Sequence, residues 1–133
     1  MNPALEAKRE PKRLLVVDDD RDARSVLEEF LTAYGFAVTV CKAGDHAIAL
    51  LRSPIRFDAL LLDLRMPGTS GYDVLRELRT GEERNRELPV IIISAVAENF
   101  WGNAAAVFSK PVPLMDLLAK LDELLGVHGS FVG

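Results

Sequence analysis

The sequence predicts an open, doubly wound α/β domain built on five parallel strands. Two observations carry this. Short apolar runs alternate along the chain with stretches whose apolar residues recur at three-and-four spacing. Three of the runs, RLLVV (13–17), FDALLLDL (57–64) and LPVIIIS (88–94), are continuously apolar rather than alternating, the pattern of parallel strands covered on both faces. Strands that alternate with helices, instead of grouping together, place the chain in the α/β class.

The elements follow in order. RLLVV forms the first strand, and Ala23, Val26, Leu27, Phe30, Leu31 and Tyr34 mark an amphipathic helix closed by Gly35. FAVTVC (36–41) gives strand two and GDHAIALLRS (44–53) the next helix. FDALLLDL is strand three, GYDVLRELRT (71–80) a third helix, and LPVIIIS strand four. AAVFS (105–109) is strand five, followed by the helix PLMDLLAKLDELLG (113–126). Residues 1–11, rich in charge and proline, read as a flexible N-terminal tail; 12–125 form the domain, and 126–133, with three glycines, a C-terminal tail. There is no repeat and no low-complexity tract.

With 133 residues, 49% of them hydrophobic, the chain supports one core and leaves little room for a second. Its formal charge of −4 lacks the basic excess that draws proteins to nucleic acid, so direct nucleic-acid binding is not expected. The single Cys41 excludes an internal disulfide and a cysteine-based zinc site, which suits a reducing cytoplasm. No apolar run approaches the roughly 20 residues of a membrane span, and the expectation is a cytoplasmic protein.

Open α/β sheets gather their sites at the carboxyl ends of the strands. Asp18 and Asp19 follow strand one, Asp63 follows the apolar part of strand three, Ser94 ends strand four, and Lys110-Pro111 follows strand five. Two carboxylates about 4 Å apart repel by about 4 kcal/mol at an effective dielectric near 20, so three of them need a counter-charge or a proton. Mg²⁺ is the natural partner, because it takes carboxylate, water and phosphate oxygens and the cluster offers no Cys or His. With an ammonium and a hydroxyl beside them, the acids suit phosphoryl transfer, with Asp63 as nucleophile.

The segments VVDDD (16–20), LLLDLRMPGTSGYDVL (60–75), PVIIISA (89–95) and SKPV (109–112) together resemble the receiver domain of two-component response regulators, of which the chemotaxis regulator is an example. The resemblance implies a flavodoxin-like sheet of order 2-1-3-4-5. It also implies Mg²⁺ held by Asp18, Asp19 and Asp63 with the backbone carbonyl of Arg65, and phosphorylation of Asp63. Ser94 matches the switch hydroxyl, Lys110 the phosphate partner, and Ala95 the small residue that leaves the site open. The Lys110-Pro111 peptide matches the family's cis bond. The partners implied are a histidine kinase or histidine phosphotransfer protein and a downstream protein target.

Each residue also has a blander role. Asp20 and Asp22 fit an N-cap and a first helical turn. Taken singly, Ser94 is a turn residue and Lys110 a solvated lysine; their register with three acids is what sets them apart. MPGTSG (66–71) is a loop by composition. Cys41 reads as a small apolar strand residue, and His46 and His128 as surface residues. Phe100 and Trp101 fit either a cap over the core or an exposed anchor for a partner.

Two departures from the family stand out. Only residues 95–109 separate Ser94 from Lys110. Strand five and ordinary loops consume most of them, so the family's helix between strands four and five is expected to be shortened or missing. Three residues before Lys110 the family often has an aromatic whose rotation reports phosphorylation; here it is Val107, and Phe108 points to the opposite face. Phosphorylation is therefore expected to act by ordering residues 95–104 or through another face. Two other functions use the same residues: a Mg²⁺-dependent phosphohydrolase with a transient aspartyl phosphate, and a degenerate receiver acting as a scaffold. Arg65 stands where such hydrolases carry a second acid, and the complete acidic set disfavours the scaffold. No effector domain is recognisable in the 133 residues.

Overall fold

A computed structural model describes residues 10–95, 100 and 102–126. The elements are β1 (Arg13–Val17), α1 (Arg21–Ala33), β2 (Ala37–Cys41), α2 (Gly44–Arg52), β3 (Ala59–Leu62), α3 (Gly71–Thr80), a 3-10 turn (Glu83–Asn85), β4 (Val90–Ser94), β5 (Ala106–Ser109) and α4 (Leu114–Leu125). The strands form one sheet in the order β2-β1-β3-β4-β5. Every pairing is parallel, with Val17 opposite both Cys41 and Leu62. This is the doubly wound, flavodoxin-like sheet expected from the sequence.

Alternate strand residues feed two separate cores. Leu15, Val17, Leu60, Leu62, Val90 and Ile92 pack with Ala47 and Leu51 of α2 and with Val74, Leu75 and Leu78 of α3. Their neighbours Leu14, Val16, Ala59, Leu61, Ile91 and Ile93 pack on the other face with Leu27 and Leu31 of α1 and with Leu117, Leu118 and Leu121 of α4. Successive strand side chains point to opposite faces, so a sheet with helices on both sides makes the central strands apolar at residues 14–17, 59–62 and 90–93, with Arg13 and Ser94 at strand ends the polar exceptions.

Two of the apolar runs, 57–64 and 88–94, extend beyond their strands. Phe57, Leu64 and Leu88 are buried although they lie outside the ladders. Burial, not ladder bonding, set the length of those runs. Val26, expected on the apolar stripe of α1, is 50% exposed. It lies on the rim of a groove with Ala23, Ile93, Pro111 and Val112, about 100° around the helix from its neighbour Leu27, which with Leu31 faces the sheet. The 3-10 turn has no counterpart in the sequence pattern. Its buried Asn85 donates Nδ2–H to the Leu51 carbonyl at 2.7 Å, while the Arg84 guanidinium donates to the carbonyls of Leu51 and Ser53. Together they satisfy carbonyls that the C-terminus of α2 leaves without helical partners.

Between β4 and β5 the described residues contain no helix, in line with the shortened or missing helix expected there. Val107, on the face of the sheet that α2 and α3 cover elsewhere, is 42% exposed, and Phe108 packs toward α4 on the other face. Phe100 lies against the first core and stacks on Tyr72, with ring centroids 6.0 Å apart and planes 12° apart. Of the two roles open to it, the core cap is the one the structure shows. Trp101, His128 and most of both expected tails lie outside the described residues. Among the described residues no helix is long and apolar enough to cross a membrane.

Candidate functional site

The sheet order reverses between β1 and β3, and the site lies at their carboxyl ends. Asp18 extends β1 by one residue: its N–H donates to the Cys41 carbonyl at 3.1 Å, which buries its side chain at the edge of the core. Asp63 does the same for β3, its N–H donating to the Val17 carbonyl at 2.9 Å. Asp19 is exposed on the turn into α1. Asp20 caps that helix, accepting from the N–H groups of Asp22 and Ala23 at 3.0 and 3.3 Å, and Asp22 occupies its first turn. The run of acids thus divides as the sequence suggested, two toward the site and two toward the helix.

Lys110 arrives from β5. Its N–H donates to the Ser94 carbonyl at 3.1 Å, which ties the ends of β4 and β5 together. Its ammonium lies 2.8 Å from Asp18 Oδ2, 3.0 Å from Asp18 Oδ1 and 3.2 Å from Asp63 Oδ2. Carboxylate oxygens of Asp18, Asp19 and Asp63 lie within 4.8 Å of one another. Ser94 is buried at the end of β4, Ala95 is exposed after it, and the Lys110-Pro111 peptide is cis. Arg65 is exposed and lines a cleft with Asp19, Met66 and Tyr72; its N–H faces Asp63 Oδ1 at 3.4 Å.

Burial pushes the Asp18 carboxyl above the usual carboxylate range, and the negative charge of Asp63 adds to this, while the bonds from Lys110 and Asp20 work against it. Burial by itself would lower the Lys110 ammonium, but its hydrogen bonds and charge pairing with Asp18 and Asp63 outweigh this and hold it above its ordinary value. One ammonium therefore serves two buried carboxylates, with the third acid alongside. A small divalent cation fits this donor set: it is all oxygen, it carries more negative than positive charge, and it has an exposed member on the cleft side.

Three features of the neighbourhood go beyond the residues singled out from the sequence. The Arg24 guanidinium donates to the Asp18 carbonyl at 2.9 Å. Ser70 and Asp73 form a reciprocal capping box at the start of α3. Gly71 sits so close to the Asp63 carbonyl that no side chain fits. The S-x-x-D spacing of the box is a readable signal; the other two depend on tertiary approach.

The fold and site define a receiver domain, and the comparisons agree. The family model described as "Response regulator receiver domain" matches residues 14–122. The chain belongs to that family. It is 38% identical over 122 residues to the response regulator MprA of Mycolicibacterium vanbaalenii, covering 86% of this chain and 51% of that protein. It is 43% identical over 83 residues to the transcriptional regulatory protein CpxR of Klebsiella pneumoniae, covering 62% and 33%. The chain spans about half the length of the first of these relatives and a third of the second. Among solved structures, the receiver domain of the sensor histidine kinase PA1611 from Pseudomonas aeruginosa superposes with a TM-score of 0.80 at 28% identity, covering 88% of this chain and 99% of that one. That structure has a magnesium ion coordinated in its active-site cleft.

Proposed function

We propose that this receiver accepts a phosphoryl group on Asp63 from a histidine kinase or histidine phosphotransfer protein in the cytoplasm and passes the state to a protein partner. The observation that carries the reading is the Lys110 ammonium held between Asp18 and Asp63, with Asp19 beside them. Asp18, Asp19 and Asp63, with the Arg65 carbonyl, are the proposed ligands of Mg²⁺. Bound there, the ion neutralises charge on the phosphoryl oxygens.

The protein's own groups do the rest. A carboxylate oxygen of Asp63 attacks phosphorus, forming the acyl–phosphate bond as the P–N bond to the donor imidazole breaks; the leaving nitrogen keeps the electron pair and takes a proton from solvent. Lys110 moves its ammonium from the free carboxylate toward the new phosphoryl oxygens, so the charge on Asp63 is never left uncompensated. Ser94 supplies the hydroxyl at the end of β4. The bare face at Val107 and the Phe100–Tyr72 stack support an output that runs through residues 95–104 rather than through an aromatic at position 107. CpxR, a transcriptional regulatory protein, extends well beyond the matched region, so the expectation of no nucleic-acid contact is confined to these 133 residues.

Intact mass after incubation with a small-molecule phosphodonor and Mg²⁺ tests the assignment. A stable adduct in the wild type and none in Asp63→Asn is the expected result. Rapid multiple turnover of phosphate esters would replace the reading with the phosphohydrolase. No adduct under any condition would leave the scaffold.

A further inference from the structure

The peptide that joins Asp18 to Asp19 is held from outside the strand. On its N-terminal side, the Asp18 N–H is fixed by the Cys41 carbonyl at 3.1 Å. On its C-terminal side, the Asp18 carbonyl has left the sheet ladder, and the bond it receives is from Nη1 of Arg24 at 2.9 Å. Arg24 sits one turn into α1, where its own N–H donates to the Asp20 carbonyl at 3.0 Å. That helix start is in turn fixed by the Asp20 cap, and the Asp20 N–H donates to Asp18 Oδ1 at 2.9 Å. The carbonyl direction sets the plane of the Asp18–Asp19 peptide, and the plane sets where the Asp19 side chain starts. Asp19 is the one exposed acid of the cluster, so its backbone does most to place it.

The geometry points to Arg24 as a positioning residue for the cation site: by fixing the Asp18 carbonyl it aims Asp18 and Asp19 at one point. The inference rests on the proposed Mg²⁺ reading. Arg24 bonds to the backbone of the cluster and not to its carboxylates, yet its positive charge lies near the acids that would bind Mg²⁺. Two effects of removing it therefore differ in sign. Lost charge alone strengthens cation binding, because a repelling guanidinium has gone. Lost positioning weakens it, since groups that orient metal ligands typically matter about tenfold or more in affinity.

The test compares wild type, Arg24→Met and Arg24→Lys. Met keeps the aliphatic stem and removes both charge and donor; Lys keeps the charge without the rigid fork. Mg²⁺ affinity is measured by calorimetry, and the backbone order parameter of the Asp19 amide is measured by NMR relaxation on the metal-free proteins. The expected result is a Mg²⁺ Kd raised about tenfold in Arg24→Met, less in Arg24→Lys, with the Asp19 order parameter lowered in the same order. Unchanged or tighter Mg²⁺ binding in Arg24→Met overturns the inference. A wild type that binds no Mg²⁺ defeats the cation reading instead, and the Asp19 order parameter then decides alone: no change on losing the guanidinium overturns the positioning role.

Discussion

Gly71→Ala is the substitution that most directly couples the fold to Asp63, the proposed phosphoacceptor. A Cβ at Gly71 would overlap the Asp63 carbonyl oxygen and fall 2.7 Å from Leu64 Cα and 3.0 Å from the Asp63 carbonyl carbon. All three are backbone atoms, so no flexible side chain can yield. Reaching ordinary contact needs a shift of about 1 Å, either of the strand end that carries Asp63 or of the start of α3. The second route stretches the bond from the Gly71 N–H to the Leu64 carbonyl, now 3.0 Å, and strains the Ser70 cap. Overpacking of this kind costs about 1–3 kcal/mol, and a misplacement near 1 Å at a reacting group lowers rates by about 100-fold. The assay is the rate of adduct formation from a small-molecule phosphodonor, read by intact mass, beside a thermal unfolding curve. Gly68→Ala is the control. Gly68 has φ +75° and open space within 4 Å of where its Cβ would stand, so Ala there introduces backbone strain while leaving Asp63 in place. Phosphorylation of Gly71→Ala at the wild-type rate would refute the reasoning.

Three further outcomes are expected. Asn85→Ala removes a buried bond to the Leu51 carbonyl at 2.7 Å and should destabilise the domain by about 1–3 kcal/mol, measured by urea unfolding. Asp73 is held below the usual carboxylate range by the Ser70 N–H and hydroxyl. Its stabilisation is therefore present above the unfolded-state value and is lost as pH falls through the lower folded value; Asp73→Asn should be less stable than wild type near neutral pH, with the gap closing in acid. Phe100→Ala loses the Tyr72 stack, worth about 0.5–1.5 kcal/mol beyond its buried area. Hydrogen exchange over residues 102–105 should accelerate, and the added protection expected there from a phosphate mimic should shrink; unchanged protection in the wild type would count against an output through this segment.

The sheet was legible because burial on two faces leaves a mark in one dimension: LLVV and VIII admit no polar residue, and the carboxyl-end rule then points to Asp18, Asp63 and Lys110. The curtailed connection between β4 and β5 was legible from chain length alone. What the sequence could not show is approach between distant segments. Gly71 reads as loop punctuation until the Asp63 carbonyl is seen beside it, and Arg24 reads as a surface arginine until the Asp18 carbonyl turns toward it. Val26 was misplaced because it lies at the edge of the apolar stripe, about 100° around the helix from the buried Leu27, where three-and-four spacing alone does not decide burial. The ends of β3 and β4 were overextended for a related reason, since Phe57, Leu64 and Leu88 are apolar for the core and not for the ladder.

The bond between Lys110 and Asp18 spans 92 residues, and its consequence is temporal. β1 lies between β2 and β3, and β5 is an edge strand beside β4; loop-closure entropy predicts that the acids of β1 and β3 converge before their ammonium arrives. Closing so long a loop is slow relative to local pairing. During that interval the half-built edge carries unrelieved repulsion, and divalent cations that shield it should speed the final docking of β5. Refolding rates measured with and without Mg²⁺ would then differ for the wild type and converge once Asp19 is replaced by Asn.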